Sequence, residues 1–136
     1  MVTGMRIGIC EDEAVFLEFE EKRICEFFAK QGETVEAETF ADGTPLLAQV
    51  SQGKRYDLIL LDHMMPELDG VETTKLIREK EGEYYKKLPI IALTANAVNG
   101  VREMFIESGL NDFIAKPIEL SALDRVLKTW LPNEYI

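Results

Sequence analysis

Short apolar runs and longer stretches of helical period alternate along the whole chain. Runs at Arg6–Cys10, Thr34–Phe40, Asp57–Leu61, Pro89–Leu93 and Asp112–Ala115 predict five strands. Three of them, at Ile7–Cys10, Leu58–Leu61 and Ile90–Leu93, do not alternate apolar with polar residues, as strands buried on both faces do not. Five helices are predicted between and after them, over Glu13–Gln31, Thr44–Gln52, Gly70–Glu81, Ala97–Ser108 and Glu119–Leu131. Pro45 opens the second, and Gly32, Gly53, Gly82, Gly109 and Pro132 follow the five ends, the usual helix punctuation. Leu120, Leu123, Leu127 and Trp130 share one face of the last helix, and Val98, Val101 and Phe105 share one of the fourth. In the first helix Phe16, Leu17, Ile24, Phe27 and Phe28 line up, but Glu20 falls inside that apolar face.

Five βα units at short spacing imply an α/β fold with a parallel sheet, right-handed crossovers and helices on both faces. The small solution is a doubly wound sheet of order 2-1-3-4-5, a flavodoxin-like (βα)5 arrangement. Its functional crevice lies at the carboxyl ends of the strands flanking the order switch, here strands one and three. Function is therefore expected near residues 10–13 and 62–66.

The length of 136 residues sets one domain, 1–136 with a core of about 5–132. With 25 acidic residues against 15 Lys and Arg, the net charge is −10, which disfavours direct nucleic-acid binding and favours basic partners or cations. No apolar run exceeds four residues, far below the roughly 20 that cross a bilayer, so no membrane insertion is expected. The start of the chain lacks the basic segment and apolar core of a signal peptide. Cys10 and Cys25 are too few for a disulfide scaffold and read as reduced, small hydrophobes of a cytoplasmic protein.

Strand one ends in Cys10-Glu11-Asp12-Glu13 and strand three in Leu61-Asp62-His63-Met64-Met65-Pro66. Acids from two adjacent strand ends make an oxygen cage suited to a hard divalent cation, Mg2+ above all. Glu13 reads better as a helix-capping acid. Asp62 does not, because four apolar residues precede it and the Met-Met-Pro run does not begin a helix. Strand four ends in Leu93-Thr94-Ala95-Asn96, bringing a hydroxyl beside the crevice, and strand five in Ala115-Lys116-Pro117, bringing a cation. Carboxylates, a hydroxyl and an ammonium at one edge of a parallel sheet suit phosphoryl transfer to a carboxylate. His63, a lone His without a second ligand at metal spacing, is assigned no role.

The chain resembles the receiver (phosphoacceptor) domain of two-component response regulators from about Met5 to Pro132. The residues that carry the likeness are Glu11-Asp12, the stretch from Asp57 through Asp62, Pro66 and Asp69-Gly70, then Pro89–Thr94-Ala95, and Asp112-Phe113-Ile114-Ala115-Lys116-Pro117. The resemblance implies that Asp62 is the phosphoacceptor, and that Asp12, Asp62 and the backbone carbonyl of Met64 hold Mg2+, with Glu11 acting mainly through water. It implies that Lys116, Thr94 and Ala95 form the phosphoryl-binding corner and that Phe113 is the switch aromatic, although a core aromatic on a strand is an equal reading of Phe113. The implied partners are a histidine kinase or the His of a phosphotransfer domain. A further partner or an output domain would dock on the face of the fourth helix, fifth strand and fifth helix. The acidic pair departs from the usual Asp-Asp. The N-terminal segment Met5–Phe40 resembles receivers of LytTR-type regulators, whereas Tyr56–Pro132 resembles those of hybrid sensor kinases.

Two other classes compete. An Mg2+-dependent phosphohydrolase working through an aspartyl phosphate would be similar to the haloacid dehalogenase class, but Met64 stands where that class carries its second Asp. A flavodoxin-type binding module would need a Gly/Ser/Thr-rich phosphate cradle, and the turn after strand one is acidic instead. The reading taken forward is a signalling receiver that catalyses only its own phosphorylation and dephosphorylation.

Overall fold

The computed structural model describes residues 5–30, 32, 34–63, 68–95, 101–116 and 118–131. Its elements are β1 (Met5–Cys10), α1 (Ala14–Lys30), β2 (Val35–Phe40), α2 (Gly43–Ser51), β3 (Leu58–Asp62), α3 (Gly70–Arg78), α4 (Glu83–Lys87), β4 (Ile90–Thr94), α5 (Val101–Glu107), β5 (Asp112–Ala115) and α6 (Leu120–Trp130). The strands form one sheet of order β2-β1-β3-β4-β5, and every neighbouring pair runs parallel. This is the expected doubly wound order.

Residues of β1, β3 and β4 are buried almost throughout because both faces of the sheet are covered. Along β3 the side chains alternate between two cores: Leu58 and Leu60 pack with Ile24, Phe28, Leu123 and Leu127, whereas Ile59 and Leu61 pack with Leu46, Val50, Ile77 and Phe105. One face of the sheet is thus covered by α1 and α6, the other by α2, α3 and α5. Leu123 and Leu127 are buried and Leu120 and Trp130 pack at the rim, as the periodicity of the last helix predicts.

α4 was not expected. Five residues, Glu83–Lys87, are too few to show a helical hydrophobic period, and Gly82, at φ 120°, reads in sequence only as a stop. The short helix is held by Arg78, which donates to the carbonyls of Tyr85 (2.9 Å) and Gly109 (3.0 Å) and to Asn111 Oδ1 (2.9 Å). The predicted third helix accordingly ends earlier, at Arg78. The fourth predicted helix is α5 and the fifth is α6; the predicted positions 97–100, Val98 among them, lie outside the described residues, as do Met64, Pro66 and Pro117.

Two features place the crevice. Cys10 lies opposite Leu61, Asp62 opposite Leu93 and Thr94 opposite Ala115, so the carboxyl ends of β1, β3, β4 and β5 finish level at one edge. α3 begins directly against the end of β3: a Cβ on Gly70 would stand 2.7 Å from the Asp62 carbonyl oxygen, so only glycine permits this approach. Asp69 caps α3, its side chain accepting from the Glu72 N–H at 2.8 Å.

Candidate functional site

Acidic residues following β1 and ending β3 converge at the level edge of the sheet. Glu11, Asp12 and Asp62 each offer a carboxylate oxygen, and these oxygens lie within 4.8 Å of one another. Glu11 (1% exposed) and Asp62 (4%) are buried, whereas Asp12 is open to solvent. Opposite them Lys116, just past β5, reaches back over the sheet: its Nζ stands 3.1 Å from Glu11 Oε1 and 3.0 Å from Asp62 Oδ1. The register explains the reach, because Lys116 N–H donates to the Thr94 carbonyl (2.8 Å), which locks the residue after β5 against the end of β4. The ring of Phe16, from the first turn of α1, lies 5.0 Å from the same ammonium.

A crevice of about 470 Å³ opens over this cluster. Asp12, Asp62, Thr94, Ala95 and Lys116 line it, with Glu13, His63 and Val101 completing the wall. Thr94 is buried and Ala95 exposed. The five described strand-end residues picked out by sequence for metal or phosphoryl binding, together with Glu11 behind them, are therefore brought to one place. Phe113 is half-buried on the α5 side, its ring centroid 5.9 Å from that of Phe105, and Phe105 in turn meets the His63 ring at 5.0 Å, edge on. Glu13 is exposed, and its N–H donates weakly to Glu11 Oε2 (3.4 Å).

The electrostatics follow from three clustered acids, two of which, Glu11 and Asp62, share Lys116. Burial, and then the neighbouring Glu11, push the Asp62 carboxyl up to about 7. Burial also works to raise Glu11, but its contacts with Asp62, Glu20 and Lys116 leave it below the usual range. Lys116 is raised, since its bonds to Asp62 and Glu11 outweigh the burial that would lower it. Such a site has more negative charge than its own donors neutralise. Hard carboxylate oxygens from two adjacent strand ends, that of Asp12 open to water, fit a divalent cation, which would supply the missing positive charge.

Two residues near the site were not picked out from sequence for it. Phe16 read as a core residue of the first helix, and nothing in its spacing distinguishes the ring that covers Lys116. Glu20 was visible as an acid inside an apolar face. In the structure it is fully buried on α1, adjacent to Glu11, and burial followed by that neighbour raises its carboxyl to about 9.

Comparison with known proteins bears on this arrangement directly. The family model of the response regulator receiver domain matches residues 7–128. Transcription factor SKN7 of Saccharomyces cerevisiae is 34% identical over 130 residues, 96% of this chain and 19% of that protein. Hybrid signal transduction histidine kinase I of Dictyostelium discoideum is 47% identical over 74 residues, 54% of this chain and 4% of that kinase. The chain thus spans less than a fifth of the length of either relative. Among solved structures, the receiver domain of sensor histidine kinase PA1611 of Pseudomonas aeruginosa PAO1, which carries a magnesium ion coordinated in its active site cleft, superposes with a TM-score of 0.77 at 35% identity, covering 93% of this chain and 97% of that one. The chemotaxis response regulator CheY4 of Vibrio cholerae gives 0.76 at 26% identity, covering 95% and 100%. Fold, level strand ends and the acid–lysine cluster agree with a match across nearly the whole chain: it belongs to the response regulator receiver domain family.

Proposed function

We propose that the chain is a phosphorelay receiver in which Asp62 accepts a phosphoryl group from the phosphorylated His of a histidine kinase or phosphotransfer domain. The observation that carries this reading is Lys116 bridging Glu11 and Asp62 beneath an open crevice. An Asp62 oxygen would attack phosphorus in line, the bond from phosphorus to the imidazole nitrogen would break, and the electron pair would leave with the imidazole. Lys116, already 3.0 Å from Asp62, is placed to exchange its contact with the free carboxylate for one with a phosphoryl oxygen. Thr94 and Ala95 line the same wall and would receive the other oxygens through a hydroxyl and a backbone N–H.

In this reading the cation would be Mg2+, and Asp12, Asp62 and the Met64 backbone carbonyl are the groups that would hold it, with Glu11 acting mainly through water. Bound there, it would supply positive charge to offset that of the acids and the phosphoryl oxygens. The chain's own contribution is to hold Asp62 buried and its partners level with it. Its catalysis is confined to its own phosphorylation and slow dephosphorylation; an acid-pair phosphohydrolase acting on outside substrates is not favoured by the family match.

Phosphorylation would draw Thr94 toward the crevice and Phe113 inward beside Phe105, changing the face of α5, β5 and α6 that a partner or output domain reads. We read residues 5–132 as one such module and place it in the cytoplasm; among the described residues no helix is long and apolar enough to cross a membrane. The same reading includes a mosaic origin, with a LytTR-like segment over Met5–Phe40 and a hybrid-kinase-like one over Tyr56–Pro132. Labelling with acetyl phosphate in Mg2+ tests the central step. Acid-labile phosphate on the wild type and none on Asp62→Asn is expected; equal labelling of both would remove Asp62 from its role.

A further inference from the structure

His63 has no part in the mechanism above, yet the chain fixes it closely. Directly after Asp62, its N–H donates to the Leu93 carbonyl (2.8 Å) and its carbonyl accepts from the Gly70 N–H (3.2 Å). The half-buried side chain lines the crevice, and its ring centroid stands 5.0 Å from that of Phe105, the two planes at 89°. Phe105, 1% exposed, anchors α5 in the core, and its centroid lies 5.9 Å from that of Phe113, the planes inclined by 43°. Three rings from three elements thus run from the crevice to β5.

The sheet makes room for them. β4 lies between β3 and β5, and its Ala92 stands opposite both Leu61 and Phe113. All three side chains pack with Phe105 in the core on the α5 side, and the small methyl of Ala92 leaves space above β4 that a ring from α5 can take. An edge-to-face contact is directional, because the positive edge of one ring meets the negative face of the other, so it orients a ring as well as filling space. Closely packed interiors move between discrete arrangements, and a ring displaced at one end displaces its neighbour. We infer that His63 is a positioning residue of the switch: its ring braces Phe105 and, through Phe105, sets where Phe113 stands, so that the state of the crevice reaches β5 along this ladder as well as through Thr94. The inference rests on the reading of the crevice given above and names a route by which its state is passed on. At the far end the Phe113 N–H donates to Asp112 Oδ1 (2.8 Å), and Asp112 Oδ2 accepts from Trp130 Nε1–H (3.1 Å). A shift of Phe113 therefore occurs beside the acceptor held by the chain's single tryptophan.

The test compares His63→Leu, which has no ring, with His63→Phe, which keeps one, in the full chain. Each variant is treated with acetyl phosphate and Mg2+, and the change in Trp130 emission is divided by the acid-labile phosphate taken up, which separates transmission from labelling. The change per phosphate is expected to fall at least about twofold in His63→Leu, the low end of what residues along a coupling path alter, and to stay that of the wild type in His63→Phe. A merely structural histidine would shift the urea midpoint and leave this ratio alone. An unchanged ratio in His63→Leu, an equal loss in His63→Phe, or a wild type that takes up phosphate with no change at Trp130 overturns the proposal. Should the leucine not fold, His63→Gln, polar and ringless, replaces it. A second readout needs neither metal nor phosphate: with cations chelated, the urea midpoints of His63→Leu, Phe113→Leu and the double variant should be non-additive, and the coupling should vanish in a Phe105→Leu background. Additivity, or coupling that survives the loss of the Phe105 ring, overturns the ladder. Failure of the crevice reading appears differently, as a wild type that takes up no phosphate while that coupling persists.

Discussion

Asp62 and Asp112 are both aspartates of the sheet, and both are buried, at 4% and 3% exposure. Asp112, opening β5, is surrounded by donors. Its Oδ1 accepts from Arg102 of α5 (3.0 Å) and from the Phe113 N–H (2.8 Å), while its Oδ2 accepts from Trp130 of α6 (3.1 Å) and pairs with Arg125 at 3.6 Å. Asp62, ending β3, has Lys116, and it divides that lysine with Glu11. The contrast teaches what a buried acid is for. Where the chain supplies enough donors, the charge ties elements together; where it withholds them, negative charge is left that a bound cation would offset. The two are joined by one strand, because β5 starts at Asp112 and ends one residue before Lys116. A pull on Lys116 therefore acts on the strand whose far end clamps α5 and α6.

The sharpest way to break the comparison is to neutralise each acid in turn. Asp62→Asn should abolish acid-labile labelling and raise the urea midpoint of the metal-free protein, since it removes a like charge beside Glu11. A fall in stability would mean that Asp62 is structural after all. Asp112→Ala should do the reverse: a loss of about 2–3 kcal/mol in urea unfolding, from stranding Trp130 Nε1–H and two arginines that are themselves half open to water. Labelling of the folded fraction should persist, and Trp130 emission should move to longer wavelength as its indole N–H turns to solvent.

Adding or removing metal is the next smaller lever. At ten times its Kd, Mg2+ should stabilise the wild type by about 1.4 kcal/mol, and EDTA should reverse this. Asp112→Ala should keep the same increment, whereas Asp12→Asn combined with Asp62→Asn should lose it; an increment that follows Asp112 instead would move the cation to the wrong end of β5. The smallest effect is on pH. The Asp62 carboxyl is raised to about 7 from an ordinary 3.8, so the folded state binds more protons than the unfolded one between those values. With cations chelated, this acid's contribution to stability should fall as pH rises from about 4 to 7, and Asp62→Asn should flatten that part of the profile. A steeper profile in the variant would reverse the assigned direction.

Much of this was legible in the chain because it depends on local pattern. Uninterrupted apolar runs at Leu58–Leu61 and Ile90–Leu93 specify strands covered on both sides, and alternation of strands and helices leaves few topologies. Asp62 and Lys116 could be singled out because each follows an apolar strand directly, where a polar residue has no packing role. Glu20 could be seen only as an irregularity, since a helix wheel shows which face a residue occupies and not what faces it. α4 was hidden because a single turn has no period to read, and Phe16 because a ring over an ammonium and a ring in a core have the same spacing.

Sequence by itself determined the order of the elements, the sheet to which they belong and the edge at which the acids gather, since chain connectivity and burial of alternating segments dictate these. Only the tertiary structure decided which charges meet. Lys116 and Glu11 lie 105 residues apart along the chain and 3.1 Å apart in space. Glu20 is buried by the packing of α1 on the sheet, and Asp112 finds its arginines on two different helices. Electrostatic interaction falls off with distance through space and takes no account of distance along the chain, so the pairing of buried charges is settled only when the layers close.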